Sequence, residues 1–165
     1  MKKYIIIALS LLLLVPEGCK KYEDGPWISF RSAKNKLVGL WHVEEYKVGN
    51  IDSTEYFINK FNYKFSFRYG LGIHNRAFFL HFIEDSTQVE KSIEGTWEFI
   101  NNNSEILLVI FKEDVVINGI GPFGTGKDSR WKINRFTNVD LWLESVYFNR
   151  IYNIKLKKDK DYELH

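Results

Sequence analysis

The residues of this chain whose types and spacing suggest chemistry are a glycine-rich segment, four histidines, a few carboxylate pairs and one cysteine. In "NGIGPFGTGKDS", Gly119, Gly121 and Gly124 match G-x-G-x-x-G, and Gly121 to Lys127 match G-x-x-x-x-G-K. Both patterns hold phosphate by delivering glycines from a strand to a helix N-terminus, whose free N–H groups and dipole face the anion. Here Asp128 stands where magnesium binding needs Ser or Thr, and "RWKINRF" then alternates as a strand does. With no helix to cap, the segment reads as a hairpin loop and nucleotide chemistry is set aside. His74 and His81 flank a strand start, with Glu84 and Asp85 after them, but no H-x-H spacing puts two imidazoles on one strand face. No metal is expected. Nor is there a G-x-S-x-G nucleophile elbow, and Glu44/Glu45 and Glu84/Asp85 are adjacent pairs that a strand sends to opposite faces. No catalytic residue and no cofactor is therefore assigned, and the chain is not expected to be an enzyme.

The lone thiol finds an explanation in its surroundings. Cys19 is the only cysteine among 165 residues, so the chain has neither an internal disulfide nor a redox pair. Ahead of it, Lys2 and Lys3 form a short basic region, Tyr4 to Val15 form an apolar run, and Gly18 directly precedes the cysteine. That run is too short for a bilayer core, which takes about 20 residues. The pattern resembles the signal peptide of bacterial lipoproteins, in which a small residue precedes a cysteine that is lipidated and becomes the new N-terminus. Pro16 stands where that pattern usually has Leu, Val or Ile, and Glu17 is unusual at its place. The resemblance implies residues 1–18 as the signal peptide, Cys19 as a lipidation site bearing acyl chains such as palmitate, and residues 19–36 as a polar tether. It also implies a membrane partner through the lipid anchor, at the outer membrane. Lys20 and Lys21 precede Glu23-Asp24, and the sequence does not choose between the periplasmic and the surface face.

These features must be carried by one folded unit. Hydrophobic residues are 45% and charged ones 27%, the balance of an ordinary domain rather than a disordered chain. Aromatics reach 16%, which favours β-structure because rings suit a pleated, half-buried surface. A net charge of +2, evenly spread, argues against nucleic acid as a partner. From Leu37 onward, alternation dominates. In "KFNYKFSFRY", Phe61, Tyr63, Phe65, Phe67 and Tyr69 face one way and Lys60, Asn62, Lys64, Ser66 and Arg68 the other. No helix with one buried face tolerates that spacing. Eight strands are predicted: Gly39 to Val48, Lys60 to Tyr69, Ala77 to Glu84, Val89 to Ile100, Glu105 to Phe111, Arg130 to Phe136, Asp140 to Val146 and Ile151 to Lys158. Short links make them an antiparallel meander, and closure of the meander into a barrel removes its exposed edges. Two connections are long, Gly49 to Asn59 and Lys112 to Ser129, and no long amphipathic helix is expected.

At the start of the first strand, "LVGLWHVEEY" places Gly39 two residues before Trp41. This resembles the G-x-W motif that opens the first strand of lipocalins, and "IEGTWEF" supplies a second copy at Gly95-Thr96-Trp97. With the preceding cysteine and tether, the chain is similar to lipocalin-like lipoproteins of Bacteroidota. The resemblance covers Leu37 to about Lys158. It implies an all-β, eight-stranded antiparallel up-and-down barrel over residues 37–165 after the lipoprotein signal peptide. It further implies that Trp41 plugs the closed end, with a basic residue near the last strand packed on it; Arg150 and Lys155 are the two candidates.

The expected function follows from the interior. Trp41, Phe65, Phe67, Phe82, Trp97, Trp131, Leu143 and Ile154 are the candidate barrel lining, suited to a small hydrophobic or amphipathic ligand bound without catalysis. Arg68, Arg76, Arg130 and Arg150 fall near strand ends, where an anionic head group could meet them. The competing reading is a barrel filled by its own rings, serving as a structural module that contacts an envelope protein or a glycan. Composition alone does not separate a filled core from an open cavity.

Overall fold

The structure, a computed structural model, describes residues 32–69, 76–83, 89–111, 123 and 128–160. Cys19, the segments before and after it up to Arg31, His74, Glu84, Asp85 and most of the glycine-rich segment lie outside the described residues. A short helix, α1 (Ala33–Leu37), leads into β1 (Gly39–Val48), then β2 (Ile51–Asp52) and a second helix, α2 (Thr54–Phe61). The remaining strands are β3 (Lys64–Tyr69), β4 (Arg76–Ile83), β5 (Glu90–Ile100), β6 (Glu105–Ile110), β7 (Ser129–Phe136), β8 (Asp140–Tyr147) and β9 (Arg150–Lys158). Each strand from β3 onward pairs antiparallel with the next, and β1 pairs with both β3 and β9. Eight strands thus close on themselves, while β2 is a two-residue extension folded against the far end of β1. The antiparallel up-and-down barrel expected from the alternation is the barrel observed.

The register fixes two ends. Gly39 lies opposite Phe67 on β3, and Trp41 lies opposite Lys158 on β9. The start of β1, the end of β3 and the end of β9 therefore share one end, here the base, with α1 beside them. At the other end, the mouth, are the β1–β2 and β8–β9 hairpins, α2, and the termini of β6 and β7 that bound the glycine-rich segment. The first long connection foreseen in the sequence, and the strand ends that bound the second, belong to the mouth.

Inside, hydrophobic residues recur at every second position: Phe65 and Phe67, Phe78, Leu80 and Phe82, Ile106, Leu108 and Ile110, Leu141 and Leu143. Two β-bulges break the strict period. The shift between Val43 and Glu45 carries Tyr46 inward and leaves both Glu44 and Glu45 outside, so that carboxylate pair does not split across the wall. A second shift, between Ile133 and Arg135, turns Phe136 inward and Arg135 outward. An extra residue in one strand of a pair reverses the phase beyond it.

One predicted strand starts late. Lys60 and Phe61, placed on a strand by their alternation, are the last residues of α2, and β3 begins at Lys64. Asp52 Oδ1 accepts from Thr54 N at 2.9 Å, Glu55 sits in the first turn and Lys60 in the last, each favourable to the helix dipole. The helix ends at Asn62, whose left-handed conformation (φ 45°) is one that asparagine tolerates well.

The base is sealed by contacts that explain the first G-x-W copy. Trp41 Nε1 donates to Leu37 O at 2.8 Å, and Lys158 Nζ lies 5.1 Å from the Trp41 ring while donating to Lys36 O at 2.6 Å. Gly39 has φ of 140°, and a Cβ there would overlap the Lys158 side chain. The basic residue on the first tryptophan is thus Lys158, neither Arg150, which stands at the mouth, nor Lys155, which packs over Trp142 on the outer wall. Lys158, the last residue of β9, reaches back over the base.

Candidate functional site

All eight residues read from the sequence as barrel lining point inward and are buried: Trp41, Phe65, Phe67, Phe82, Trp97, Trp131, Leu143 and Ile154. They do not form one patch. Trp41 belongs to the sealed base; Phe67 packs on Phe78 at 5.3 Å and meets Trp97 edge-on at 6.4 Å just above it. Leu143 and Ile154 oppose each other across β8 and β9. Half-way up, Phe123 from the glycine-rich connection is fully buried, stacked on Trp131 (4.7 Å, 18°) and 5.1 Å from Phe65.

The uppermost tier is the least like a plain core. Here Phe57 of α2 drops into the mouth and stacks on Tyr46 with ring centroids 4.1 Å apart and planes 18° from parallel. Its other face meets Tyr63 at 4.5 Å; beyond these, Tyr63 reaches Phe82 at 5.9 Å and Tyr46 reaches Tyr152 at 6.4 Å. Thus one ring of a short helix sits among four rings supplied by β1, the residue just before β3, β4 and β9. Besides the buried Phe57, local polar contacts tether that helix. Thr54 Oγ1 accepts from Tyr46 N at 2.8 Å and donates to Tyr46 O at 3.3 Å, while Ser53 N donates to Tyr46 O at 2.9 Å.

Electrostatically the tier is neutral but capable of hydrogen bonding. Burial pushes the Tyr46 and Tyr63 phenols far above their ordinary value, and the neighbouring phenols add to the shift, Tyr152 for Tyr46 and Tyr46 for Tyr63. Both therefore keep their protons at any physiological pH. Ser145, buried on the inner face, pairs across the strand with Tyr152, and Ser129 accepts from Trp131 Nε1 at 3.1 Å. Among the described residues Lys36, at the base, is the only charged side chain that is buried. Charges gather outside the wall instead. Burial tends to raise the Glu45 carboxyl, but bonds and charge from Lys47 (3.0 Å) and Lys155 (3.1 Å) outweigh it and hold it below its usual value. Asp140 is held low chiefly by Lys157 at 2.7 Å, with Arg135 beside it.

At the rim, a cleft of about 230 Å³ opens between Asn62, Lys64, Phe82, Ile83 and Glu90. It joins the inner wall at Phe82 to charged groups of both signs. The four arginines noted in the sequence do not converge: Arg68 lies over Phe79 and Arg76 pairs with Glu98 at 2.7 Å, both near the base, whereas Arg130 and Arg150 start strands at the mouth. His42 is exposed and His81 half-buried; among the described residues no three His, Cys, Asp or Glu side chains gather as a metal site.

Sequence reasoning missed Tyr46, Phe57 and Phe123. A bulge hides the first from any fixed period, and the other two come from connections rather than strands. The Asp52-Ser53-Thr54 and Asn62 signals that bracket a short helix were the available clue to Phe57.

No family model and no curated sequence matches the chain. Among solved structures, a biogenic amine-binding protein superimposes with a TM-score of 0.51 at 13% identity, over 82% of this chain and 70% of that one. A lipocalin-like protein from Bacteroides uniformis gives a TM-score of 0.49 at 15% identity, over 75% of this chain and 99% of its own. The fold is a closed eight-stranded antiparallel up-and-down barrel. Such identities speak for the fold alone, and the chemistry of the barrel described here rests on its own residues.

Proposed function

We propose that this chain is a non-enzymatic binding barrel, anchored to the outer membrane through lipid on Cys19, that takes a small flat aromatic or amphipathic molecule into the upper tier. The single observation that carries this reading is Phe57: a ring from a short, locally tethered helix occupies a slot walled by Tyr46, Tyr63 and, one ring further out, Tyr152 and Phe82. A ligand ring that displaced Phe57 would meet the same faces, with protonated phenols to donate to its acceptors. The polar end of an amphipathic molecule would leave through the rim cleft toward Asn62, Lys64 and Glu90. The biogenic amine-binding neighbour supports small-molecule binding as a use of this fold. The buried described residues offer no carboxylate for an ammonium group, so an uncharged ring suits this tier better than a cation.

A second reading keeps a specific observation in its favour. Phe57 and Phe123 already fill space inside the barrel, as a packed structural module contacting an envelope protein or glycan would require. Titration with a planar environment-sensitive dye separates the two. Saturable binding with emission enhancement at one site per chain supports the binding barrel; absence of any saturable site favours the filled module. For the anchor, Cys19→Ala should block acylation and processing, read as a larger chain that incorporates no labelled palmitate, and a mutant that is processed and acylated as the parent is contradicts it.

A further inference from the structure

Apolar side chains left exposed are concentrated at one end of this barrel. Among the described residues, Tyr56, Val89 and Phe111 lie around the mouth, and four more form one tip there: Ile51 (70% exposed), Val146 (68%), Phe148 (76%) and Ile151 (48%). The tip is two adjoining hairpins. Val146 opposes Ile151 on β8–β9, Ile51 closes β1–β2, and Gly49 N donates to Ile151 O at 2.7 Å to bind the hairpins together. At its summit the chain turns through Phe148 and Asn149, both with positive φ (46° and 58°). A tight hairpin wants that conformation, but asparagine and glycine adopt it readily while a bulky aromatic does not. Phe148 is thus strained and exposed at once, an outlier of the kind that collects at functional positions.

We infer that this tip is a membrane-docking surface, which dips Phe148, Val146, Ile151 and Ile51 into the interface of an anionic lipid bilayer. The four side chains expose on the order of 500 Å², short of the roughly 800 Å² per partner that a stable protein interface takes. Exposed Arg150 follows directly in the turn and can meet lipid phosphate, an aromatic-plus-basic pairing suited to the interfacial layer. Asp52, the carboxylate next to Ile51, stays ionised, and the charge of Lys47, opposite it across β1–β2, offsets it. Chain length permits the contact. The tether joins the base through α1, yet the 13 residues from Cys19 to Arg31 can span up to roughly 45 Å. The ten residues of β1 rise only about 33 Å from base to mouth. With the lipid anchor proposed above, on which this reach argument rests, the barrel can lay its mouth on the bilayer that holds Cys19, independently of what it binds inside.

The test uses the chain from residue 19 onward with Cys19→Ala, which removes lipid and the apolar leader and leaves the added thiol unique. Phe148→Cys and, at the base, Tyr69→Cys each receive an environment-sensitive fluorophore, and vesicles of phosphatidylethanolamine and phosphatidylglycerol are added. The probe at position 148 should become dry and be quenched by bilayer-embedded quenchers, while that at 69 stays in water; phosphatidylcholine vesicles should give a weaker response. Phe148→Asn should lower vesicle partition of the tip about tenfold yet leave the melting temperature unchanged or higher, because asparagine fits the turn. A probe at 148 that stays wet on vesicle-bound protein overturns the inference. So does one that dries only when lipid-free envelope proteins are added, which would make the tip a protein contact.

Discussion

Replacing Phe57 by alanine should weaken the fold and strengthen binding in the same molecule. Phe57 is 2% exposed and stacked on Tyr46 at 4.1 Å, so its removal takes away both burial and a ring contact. Truncation of a core phenylalanine costs about 3–5 kcal/mol, and the mouth, which can partly collapse, puts Phe57→Ala near the lower figure. At about 2–4 °C per kcal/mol for a chain of this size, the melting temperature should fall by roughly 10 °C. Binding responds through a different quantity. A ligand that takes the place of Phe57 must first expose that ring, which costs roughly 1.5–3 kcal/mol. The competent state is then on the order of 1–10% populated and apparent affinity is reduced by that fraction. Alanine abolishes the competition, so a planar dye should bind about 10- to 100-fold more tightly. Denaturant unfolding gives the first number and fluorescence titration the second. Phe67→Ala, deep beside Phe78 and Trp97, is the control that should lose stability without gaining affinity. If Phe57→Ala loses stability and gains no affinity, Phe57 is an ordinary core residue and the displacement argument is wrong.

Four further outcomes follow from the same geometry. Lys158→Met keeps much of the packing on Trp41 but loses the bond to Lys36 O, and should cost about 1–2 kcal/mol in urea unfolding with a shifted tryptophan emission. Gly95→Ala drives a Cβ into the Val109 carbonyl across β5–β6; overpacking of this kind costs about 1–3 kcal/mol or more, read as a lowered denaturation midpoint. Burial disfavours the His81 imidazolium and lowers its folded pKa below 6.5, so the unfolded chain binds the proton more readily. Stability from this group is present above pH 6.5 and is lost as pH falls through the lowered folded value; His81→Gln should flatten that part of the profile. Asp140 likewise contributes stability above its unfolded value of 3.8 that disappears as pH falls through its lower folded one, a step that Asp140→Asn should remove from acid-unfolding curves.

Much of the barrel was legible because its strands obey one rule. Where alternation is uninterrupted, as from Phe78 to Phe82 or Leu141 to Leu143, the sequence alone assigns the inner face. Where a bulge inserts one residue, the pattern misleads: Tyr46 follows two glutamates, and Phe136 follows an arginine at the position the period assigns inward. Alternation also ran too far in one place, since Phe61 keeps the phase of β3 although its backbone is helical. The eight residues read as lining are buried on the inner face because strands position them; the mouth was not foreseen, because Phe57 and Phe123 reach the interior from outside the strands. Lys158 escaped for a related reason. Its partner Trp41 is 117 positions away, and only barrel closure between β1 and β9 brings them together.

Whether the barrel carries a small molecule in the tier that Phe57 now occupies is decided by native mass spectrometry of the protein extracted from its own cell envelope. A bound species of small-molecule mass beyond the acyl anchor is expected at one per chain, retained or enriched in Phe57→Ala and lost when Tyr46 is replaced by a side chain that fills the slot. Protein that is ligand-free as isolated, and whose mouth admits no planar dye even after Phe57→Ala, would contradict it.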